Sequence, residues 1–285
     1  MRSSKEIKKI ILDKANSDNR IRAVLLNGSR ANSKVEPDQF QDFDIVYMVN
    51  QIDTFTADHR WTSIFGEKLL WQLPDEMSFG NSKEVETFSF TYLMLFKDGN
   101  RIDLSLFPAD KFESDFEMDS LTVVWLDKDN LFSNVEPPSD KDYWIKRPTE
   151  NEFKDTCNEF WWVSTYVAKG LLRDEITYAK EMLENHVRRM FMHIIEWHIG
   201  TNTNFSVSFG KGGKSMKKYL TAREYDSILS TYSDFRNENS WTSLFIMTEL
   251  FSEFATQVAN KLNFNFNNTE RKNTLEYLHQ LHRNQ

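Results

Sequence analysis

The first half of the chain carries its apolar residues in short runs, several alternating with polar residues, as in β-strands that bury one face. Before these runs, residues 1–15 place isoleucine and leucine on one helical face among lysines, which predicts an amphipathic helix. Asn27-Gly28-Ser29 ends one strand, and Asp98-Gly99 predicts a hairpin because it supplies the positive φ of a tight turn. The predicted strands are 23–26, 43–49, 88–96, 102–107 and 121–126.

The second half has apolar residues at spacings of three and four, which predicts helices. The predicted helices are 150–172, 175–199, 214–219 with the turn that follows, and 240–262. The polar, proline-containing stretch 137–149 predicts a linker, and the polar last twenty residues predict a loose tail. The sequence therefore predicts an α+β protein, with a mixed β-sheet flanked by helices in residues 1–136 and an α-helical domain in residues 150–285.

The composition is that of a globular protein of 285 residues, with 40% hydrophobic and 27% charged residues. The net charge of -8 argues against a nucleic-acid partner and favours a cationic one. The single cysteine, Cys157, excludes an internal disulfide and a Cys-based zinc site, and we expect it in the core. Neither a secretory signal nor a membrane span is recognisable, so we expect a cytoplasmic protein without membrane contact.

Three aspartates are candidates for chemistry. Asp42 and Asp44 share one face of a predicted strand, opposite Phe43 and Ile45, and Asp103 lies on the second arm of the Asp-Gly hairpin. Magnesium prefers oxygen ligands and typically takes one or two carboxylates together with substrate phosphates. An Asp-x-Asp pair on a strand edge is common, but the pair together with a preceding Gly-Ser turn and a later strand aspartate is a more specific pattern.

This pattern suits nucleotidyl transfer, in which a hydroxyl attacks the α-phosphorus while pyrophosphate leaves. Two carboxylates two residues apart can bridge two metal ions, and a third can take the proton of the acceptor. Gly28 lets the backbone approach a triphosphate closely. If a helix begins at Ser29, its N–H groups and hydroxyl would receive phosphate oxygens, and Arg30 would either add positive charge there or project into solvent.

Residues 24–49, VLLNGSRANSKVEPDQFQDFDIVYMV, resemble the signature of the polymerase-β-like nucleotidyltransferase superfamily. The resemblance narrows to the aminoglycoside 6-adenylyltransferase family, the streptomycin-modifying enzymes, and covers most of the chain in the family's order. The segments that carry it are GSRAN, QDFDIVYMV, FGEKLLWQLPDEM, YLMLFKDGNRIDLSLFP, YVAKGLLRDE and SFGKGGKSMKKYL.

The resemblance implies Mg²⁺-dependent transfer of AMP from ATP to the 6-hydroxyl of streptomycin, a small cationic aminoglycoside, with release of pyrophosphate. The helical domain would close the substrate cleft over a nucleotidyltransferase domain. Gly28 and Ser29 would handle the triphosphate, while Asp42, Asp44 and Asp103 would hold magnesium, as two ions. Asp103 is the favoured general base.

Further candidates rest on charge alone. Arg30 and Lys169 are candidates for contacting the nucleotide. Glu152, Asp155 and Glu159 are candidates for pairing with ammonium or guanidinium groups of the drug, although each by itself is better explained as an ordinary solvated helix charge. Two other enzymatic or binding functions stay open, namely a related nucleotidyltransferase with a protein or RNA acceptor, and a nucleotide-binding module without catalysis.

Two motifs are set aside. The sequence GKGGKS at 210–215 resembles a phosphate-binding P-loop, but the full pattern requires glycine where Ser208 stands. His193 and His198 are five residues apart, which places them about 140° apart around a helix and excludes the helical two-histidine zinc motif.

Overall fold

The computed structural model describes residues 1–79 and 88–284 of the chain. The chain divides into two compact units, Met1–Asp142 and Tyr143–Gln285. The first unit contains the sheet and the second is helical, so the prediction of an α+β protein with a helical C-terminal half is confirmed.

Within those residues, the N-terminal unit contains one mixed six-stranded sheet in the order β3-β4-β5-β2-β1-β6. β2 and β5 pair in parallel, whereas the other neighbours are antiparallel. The strands are β1 (Ile21–Asn27), β2 (Phe43–Val49), β3 (Lys68–Gln72), β4 (Phe90–Phe96), β5 (Arg101–Pro108) and β6 (Thr122–Asp127). The helices of this unit are α1 (Ser4–Ser17), α2 (Asp53–Thr56) and α3 (Phe112–Asp115), with short 3-10 turns at Gly28–Arg30, His59–Phe65, Pro74–Glu76, Ala109–Lys111 and Lys141–Tyr143.

Helix α1 packs its apolar face against the sheet. The helix begins with a capping box, in which the Ser3 side chain and the Glu6 carboxylate satisfy each other's backbone N–H groups. Ile7 and Ile11 are fully buried, and the Tyr47 hydroxyl donates a buried hydrogen bond of 2.7 Å to the Ile11 carbonyl. These contacts tie the helix to β2, the strand that carries Asp44 and directly follows Asp42.

The C-terminal unit is a helical assembly around one apolar core. Helices α4 (Glu150–Leu172) and α8 (Asn237–Leu262) meet in this core, where the Phe160 and Phe251 rings stack with centroids 3.6 Å apart. Cys157 is buried in this core, as predicted. The helices are α4 (Glu150–Leu172), α5 (Ile176–Glu181), α6 (Arg188–Asn202), α7 (Ala222–Leu229), α8 (Asn237–Leu262) and α9 (Asn268–Arg283).

Two helical predictions need correction. The single helix predicted over 175–199 is divided, because a π-helical turn at Met182–Val187 separates α5 from α6. The helix predicted over 214–219 is replaced by 3-10 turns at Lys211–Gly213 and Met216–Lys218. Gly210, Gly212 and Gly213 have positive φ, which is incompatible with a regular helix entry there.

The prediction of a loose C-terminal tail was wrong. Helix α9 forms there, with the Asn267 side chain accepting from the Glu270 N–H at its N-terminus. Leu278 is fully buried, and Leu275 and Leu281 pack on the same core. Three leucines three residues apart form a narrow apolar stripe that the polar composition of the tail conceals.

Candidate active site

Asp44 and Asp103 lie on neighbouring strands of the sheet, and Asp42 directly precedes the first of these strands. In the parallel register of β2 and β5, Asp44 is opposite Asp103 and Phe43 is opposite Ile102. Phe43 and Ile102 are buried in the core, whereas Asp44 and Asp103 are half-buried on the other face. Asp42 immediately precedes β2 and is also half-buried. The structure therefore brings together the three carboxylates that the sequence singles out.

The Gly28 turn lies against the same carboxylates. β1 pairs with β2 so that Asn27 is opposite Asp44, which brings the turn after β1 to Asp44. Gly28 has a φ of +73°, and a Cβ atom added there would overlap Oδ2 of Asp44 and lie 3.2 Å from its Cγ. Glycine is thus required both by the backbone conformation and by the close approach of the carboxylate.

The turn differs from the sequence expectation in one respect. No α-helix begins at Ser29, because Gly28–Arg30 forms a single 3-10 turn closed by a 3.1 Å hydrogen bond from the Ala31 N–H to the Gly28 carbonyl. The backbone N–H of Gly28 is used by the Leu121 carbonyl, 3.1 Å away. A helix dipole therefore plays no part at this turn, and the Ser29 hydroxyl and nearby backbone remain the candidate phosphate contacts.

Burial and mutual repulsion disfavour the charged forms of Asp42 and Asp44. Burial, followed by the negative charges of Asp103 and Asp42, raises the pKa of Asp44 to about 6. Burial also raises the pKa of Asp42, with Arg101 opposing that rise and Asp103 adding to it. Each group ionises less readily than an ordinary aspartate, so the cluster would gain from an added positive charge.

The donor chemistry of the cluster fits magnesium, which prefers carboxylate oxygens. Over residues 1–79 and 88–284, however, no three His, Cys, Asp or Glu side chains converge closely enough to hold a metal ion as they stand. A guanidinium lies among the carboxylates. Arg101 donates from Nε and Nη2 to the two carboxylate oxygens of Asp103, both at 2.7 Å, and its Nη1 lies 3.5 Å from Oδ2 of Asp42.

Arg101 is the residue of this site that the sequence reasoning missed. The sequence does place Arg101 two residues before Asp103 on the same predicted hairpin arm, and this spacing puts the two side chains on the same face of the strand.

Arg30 lies between the Gly28 turn and the segment before β2. Its Nε and Nη2 donate to the backbone carbonyls of Asp42 and Gln41 at 2.9 and 2.7 Å, and its Nη1 donates to the Ser4 hydroxyl at 3.1 Å. The guanidinium carbon lies 3.8 Å from the centre of the Phe43 ring. Arg30 does not project into solvent; it holds the segment before β2, and so positions Asp42, against the turn.

A surface cavity of about 380 Å³ opens beside the Gly28 turn. Ser29, Arg30, Asn32 and Gln41 are among its lining residues. The Gln41 side-chain amide also lies 3.5 Å from the Ser29 carbonyl. This polar space adjoins the phosphate contacts expected at the turn.

Comparison with known proteins decides the family. The profile of the family described as streptomycin adenylyltransferase matches residues 1–281 of the chain. The chain belongs to this family. The predicted family membership is confirmed, and the protein is an enzyme of the nucleotidyltransferase class.

Three similar proteins are each named aminoglycoside 6-adenylyltransferase. The protein from Bacillus subtilis (strain 168) is 42% identical over 267 residues, covering 93% of each chain. The protein from Campylobacter jejuni is 41% identical over 93% of this chain and 91% of its own. The protein from Staphylococcus aureus is 37% identical over 95% of this chain and 96% of its own.

The remaining candidates of this family member lie on α4 in the C-terminal unit. Lys169 is exposed, with its Nζ 5.5 Å from the centre of the Tyr166 ring. Glu152, Asp155 and Glu159 are exposed along the helix. The Glu152 carboxylate also accepts from the Thr149 N–H and hydroxyl in a capping box, which lowers its pKa.

The two motifs set aside in the sequence both lie in the C-terminal unit. His198 is buried with its Nε2 3.2 Å from Glu224, whereas Nδ1 of His193 lies 3.9 Å from Glu196. The glycine-rich loop borders a cavity of about 720 Å³, together with Arg189, His193 and Glu196.

Among residues 1–79 and 88–284, no helix combines the length and apolar character needed to cross a membrane.

Proposed function

We propose that this enzyme transfers AMP from ATP to the 6-hydroxyl of streptomycin, with release of pyrophosphate. The observation that carries the proposal is that Asp44 lies opposite Asp103 in the sheet, with Asp42 just before the same strand and the Gly28 turn against Asp44. The names of the three relatives support an aminoglycoside acceptor and the 6-position. The cationic character of such a drug suits the net charge of -8.

In this reaction the acceptor hydroxyl oxygen forms a bond to the α-phosphorus, and the bond from that phosphorus to the bridging oxygen of pyrophosphate breaks. We assign to Asp103 the role of general base, which receives the hydroxyl proton as the new bond forms. Its place on β5, opposite Asp44, keeps the base next to the other carboxylates. The pairing of two strands fixes both groups more firmly than a loop would.

Asp42, Asp44 and Asp103 are the residues that would hold Mg²⁺, as two ions. When bound, the metal would neutralise charge on the phosphate and on the leaving pyrophosphate. The raised pKa of Asp44 supports this assignment, since burial and the charges of Asp103 and Asp42 disfavour its ionised form and a divalent cation would favour it.

The Gly28 turn would receive the triphosphate. Ser29 offers a hydroxyl, and Gly28 has no side chain to keep phosphate oxygens away from the backbone. Arg30 would act by holding the turn and the segment before β2 together, since its donors already bind carbonyl oxygens there. Lys169 is proposed as a further phosphate contact.

Asp155 and Glu159 are the stronger candidates for the drug's cationic groups. Both are exposed, four residues apart on α4, and therefore close on the helix surface. Glu152 is retained as a weaker candidate because its carboxylate already accepts two hydrogen bonds at the helix N-terminus.

Pyrophosphate release tests the reaction. The enzyme is mixed with ATP and Mg²⁺, with streptomycin, kanamycin or no acceptor, and the product is identified by mass spectrometry. We expect release with streptomycin only and a product carrying one adenylyl group. Asp103→Asn should lower kcat at least about 100-fold. Asp110→Asn, an exposed aspartate just after β5, is the matched control and should keep wild-type kcat.

Other outcomes point to other functions. Release with a protein or RNA acceptor but not with streptomycin would identify a nucleotidyltransferase with a different substrate. ATP binding without release for every acceptor would identify a non-catalytic nucleotide-binding module. Wild-type kcat in Asp103→Asn would remove the general base from Asp103.

Steady-state kinetics separate the two substrate contacts on α4. Lys169→Gln should raise the KM for ATP, and Glu159→Gln should raise the KM for streptomycin, with little change in kcat in either case. An unchanged KM for the corresponding substrate would remove that residue from the site.

A further inference from the structure

Arg101 is held by two of the three carboxylates that would bind metal. Its guanidinium forms a two-pronged pair with Asp103, with both N–O distances at 2.7 Å. Its third nitrogen lies 3.5 Å from Oδ2 of Asp42. This is the fork geometry in which an arginine pairs most strongly with a carboxylate.

The positive charge of Arg101 offsets the negative charges of the aspartates that it contacts. Asp103, followed by Asp42 and Asp44, raises the pKa of Arg101, so all three carboxylates favour its charged form. The other nearby guanidinium, Arg30, directs its hydrogen bonds to backbone carbonyls and a hydroxyl. Arg101 therefore contacts two of the three carboxylates directly, whereas Arg30 acts on Asp42 and Asp44 only through its more distant charge.

A divalent cation and this guanidinium compete for the same oxygens. Both oxygens of Asp103 already accept from Arg101, and a metal ion would need at least one of them. A divalent ion bound to these carboxylates would also repel the positively charged guanidinium beside it. The side chain of Arg101 is 43% exposed, so it has open space into which it can turn.

We propose that Arg101 is an internal counter-cation of the metal site, paired with Asp103 and Asp42 in the metal-free protein and displaced when a divalent cation binds. Arg101 thereby stabilises the metal-free site and weakens its affinity for metal. It is a positioning residue, since it acts on the carboxylates. The inference rests on the proposed function, because it takes the three aspartates as the metal ligands.

The test is direct binding of Mn²⁺ to the purified full-length protein without nucleotide, measured from the electron paramagnetic resonance signal of free Mn²⁺. Arg101→Gln should bind Mn²⁺ about tenfold more tightly than wild type. Arg101→Lys keeps the charge but loses the fork, and its affinity should lie between the two. Arg22→Gln is the matched control, because Arg22 pairs with Asp129 away from the cluster, and it should bind Mn²⁺ as wild type does.

Thermal unfolding supplies a second measurement that does not depend on activity. In EDTA, Arg101→Gln should have a lower Tm than wild type, and saturating Mn²⁺ should raise its Tm by more than it raises that of wild type. Equal or weaker Mn²⁺ binding by Arg101→Gln would overturn the inference. If Arg101→Gln fails in this way but wild type binds Mn²⁺ and Asp44→Asn does not, the assignment of the aspartates as metal ligands would still hold. If neither wild type nor any variant binds Mn²⁺, both the role of Arg101 and the metal assignment would be overturned.

Discussion

Gly28 and Asp44 are so close that the glycine leaves no room for a side chain: a Cβ atom at Gly28 would overlap Oδ2 of Asp44. The turn expected to receive the triphosphate and the strand expected to hold the metal are therefore fitted to each other. The contact depends on the antiparallel register of β1 and β2, which places Asn27 opposite Asp44.

Gly28→Ala should damage both stability and activity. The substitution combines a positive φ, which costs about 1–3 kcal/mol in a residue with a side chain, with displacement of the Asp44 carboxylate. Gly212→Ala is the matched stability control, because Gly212 has a φ of +65° but no atom within 4 Å of an added Cβ. We expect Gly28→Ala to have the lower Tm of the two and a kcat/KM reduced at least about 100-fold, since it would displace Asp44, which we propose as a metal ligand. Equal Tm values would show that the clash is relieved at no cost.

Asp44→Asn should inactivate the enzyme yet stabilise the metal-free protein. Burial and the neighbouring carboxylates disfavour the charge of Asp44, and an amide removes that charge without changing the shape. After allowance for solvent screening, we expect a gain of about 1 kcal/mol in the free energy of unfolding in EDTA at pH 8. Urea denaturation measures it. Asp129→Asn, which removes the partner of Arg22, should give no such gain.

Asp18 should contribute stability that acid removes. Hydrogen bonds from Arg20, and then from Lys14, hold the pKa of Asp18 well below its ordinary value of 3.8, against the opposing effect of burial. Because the folded-state pKa is lowered, the contribution is fully present above the unfolded pKa and is lost as the pH falls below it.

Asp18→Asn should therefore lower the free energy of unfolding by about 1 kcal/mol at pH 7, allowing for screening of the partly exposed Arg20. The difference from wild type should shrink as the pH falls below 3.8. Asp13→Asn, which breaks the exposed pair with Lys9, is the control and should have little effect at either pH. A difference that is the same at pH 7 and pH 2.5 would contradict the role of the Asp18 charge.

Cys157 should be unreactive in the folded protein. Burial raises the pKa of its thiol to about 12, so almost none is present as the reactive thiolate at pH 8. Ellman's reagent should label one thiol per chain in guanidinium chloride and label native protein at least about 100-fold more slowly. Rapid labelling of native protein would mean that the core around α4 opens readily.

The local pattern of the sequence fixes several elements to the residue. β2 is the predicted strand 43–49, because its alternation separates a buried face from a face that carries Asp44. Helix α4 is the predicted helix 150–172, because a capping box at Thr149 begins it and its apolar residues recur at helical spacing. The Asp98-Gly99 hairpin formed for the same reason, since the turn is specified by its own two residues.

What the sequence determined by itself was the identity of the chemical groups: three aspartates on strand faces opposite apolar residues, and a glycine turn before them. Tertiary structure decided their distances. The parallel pairing of β2 with β5 places Asp44 opposite Asp103, and no local signal in either strand specifies that partner. The same pairing brings Arg101 to Asp42, and packing on the core turns the polar tail into α9. These features depend on contacts between segments far apart in the chain, whose energy is gained only when the whole unit folds.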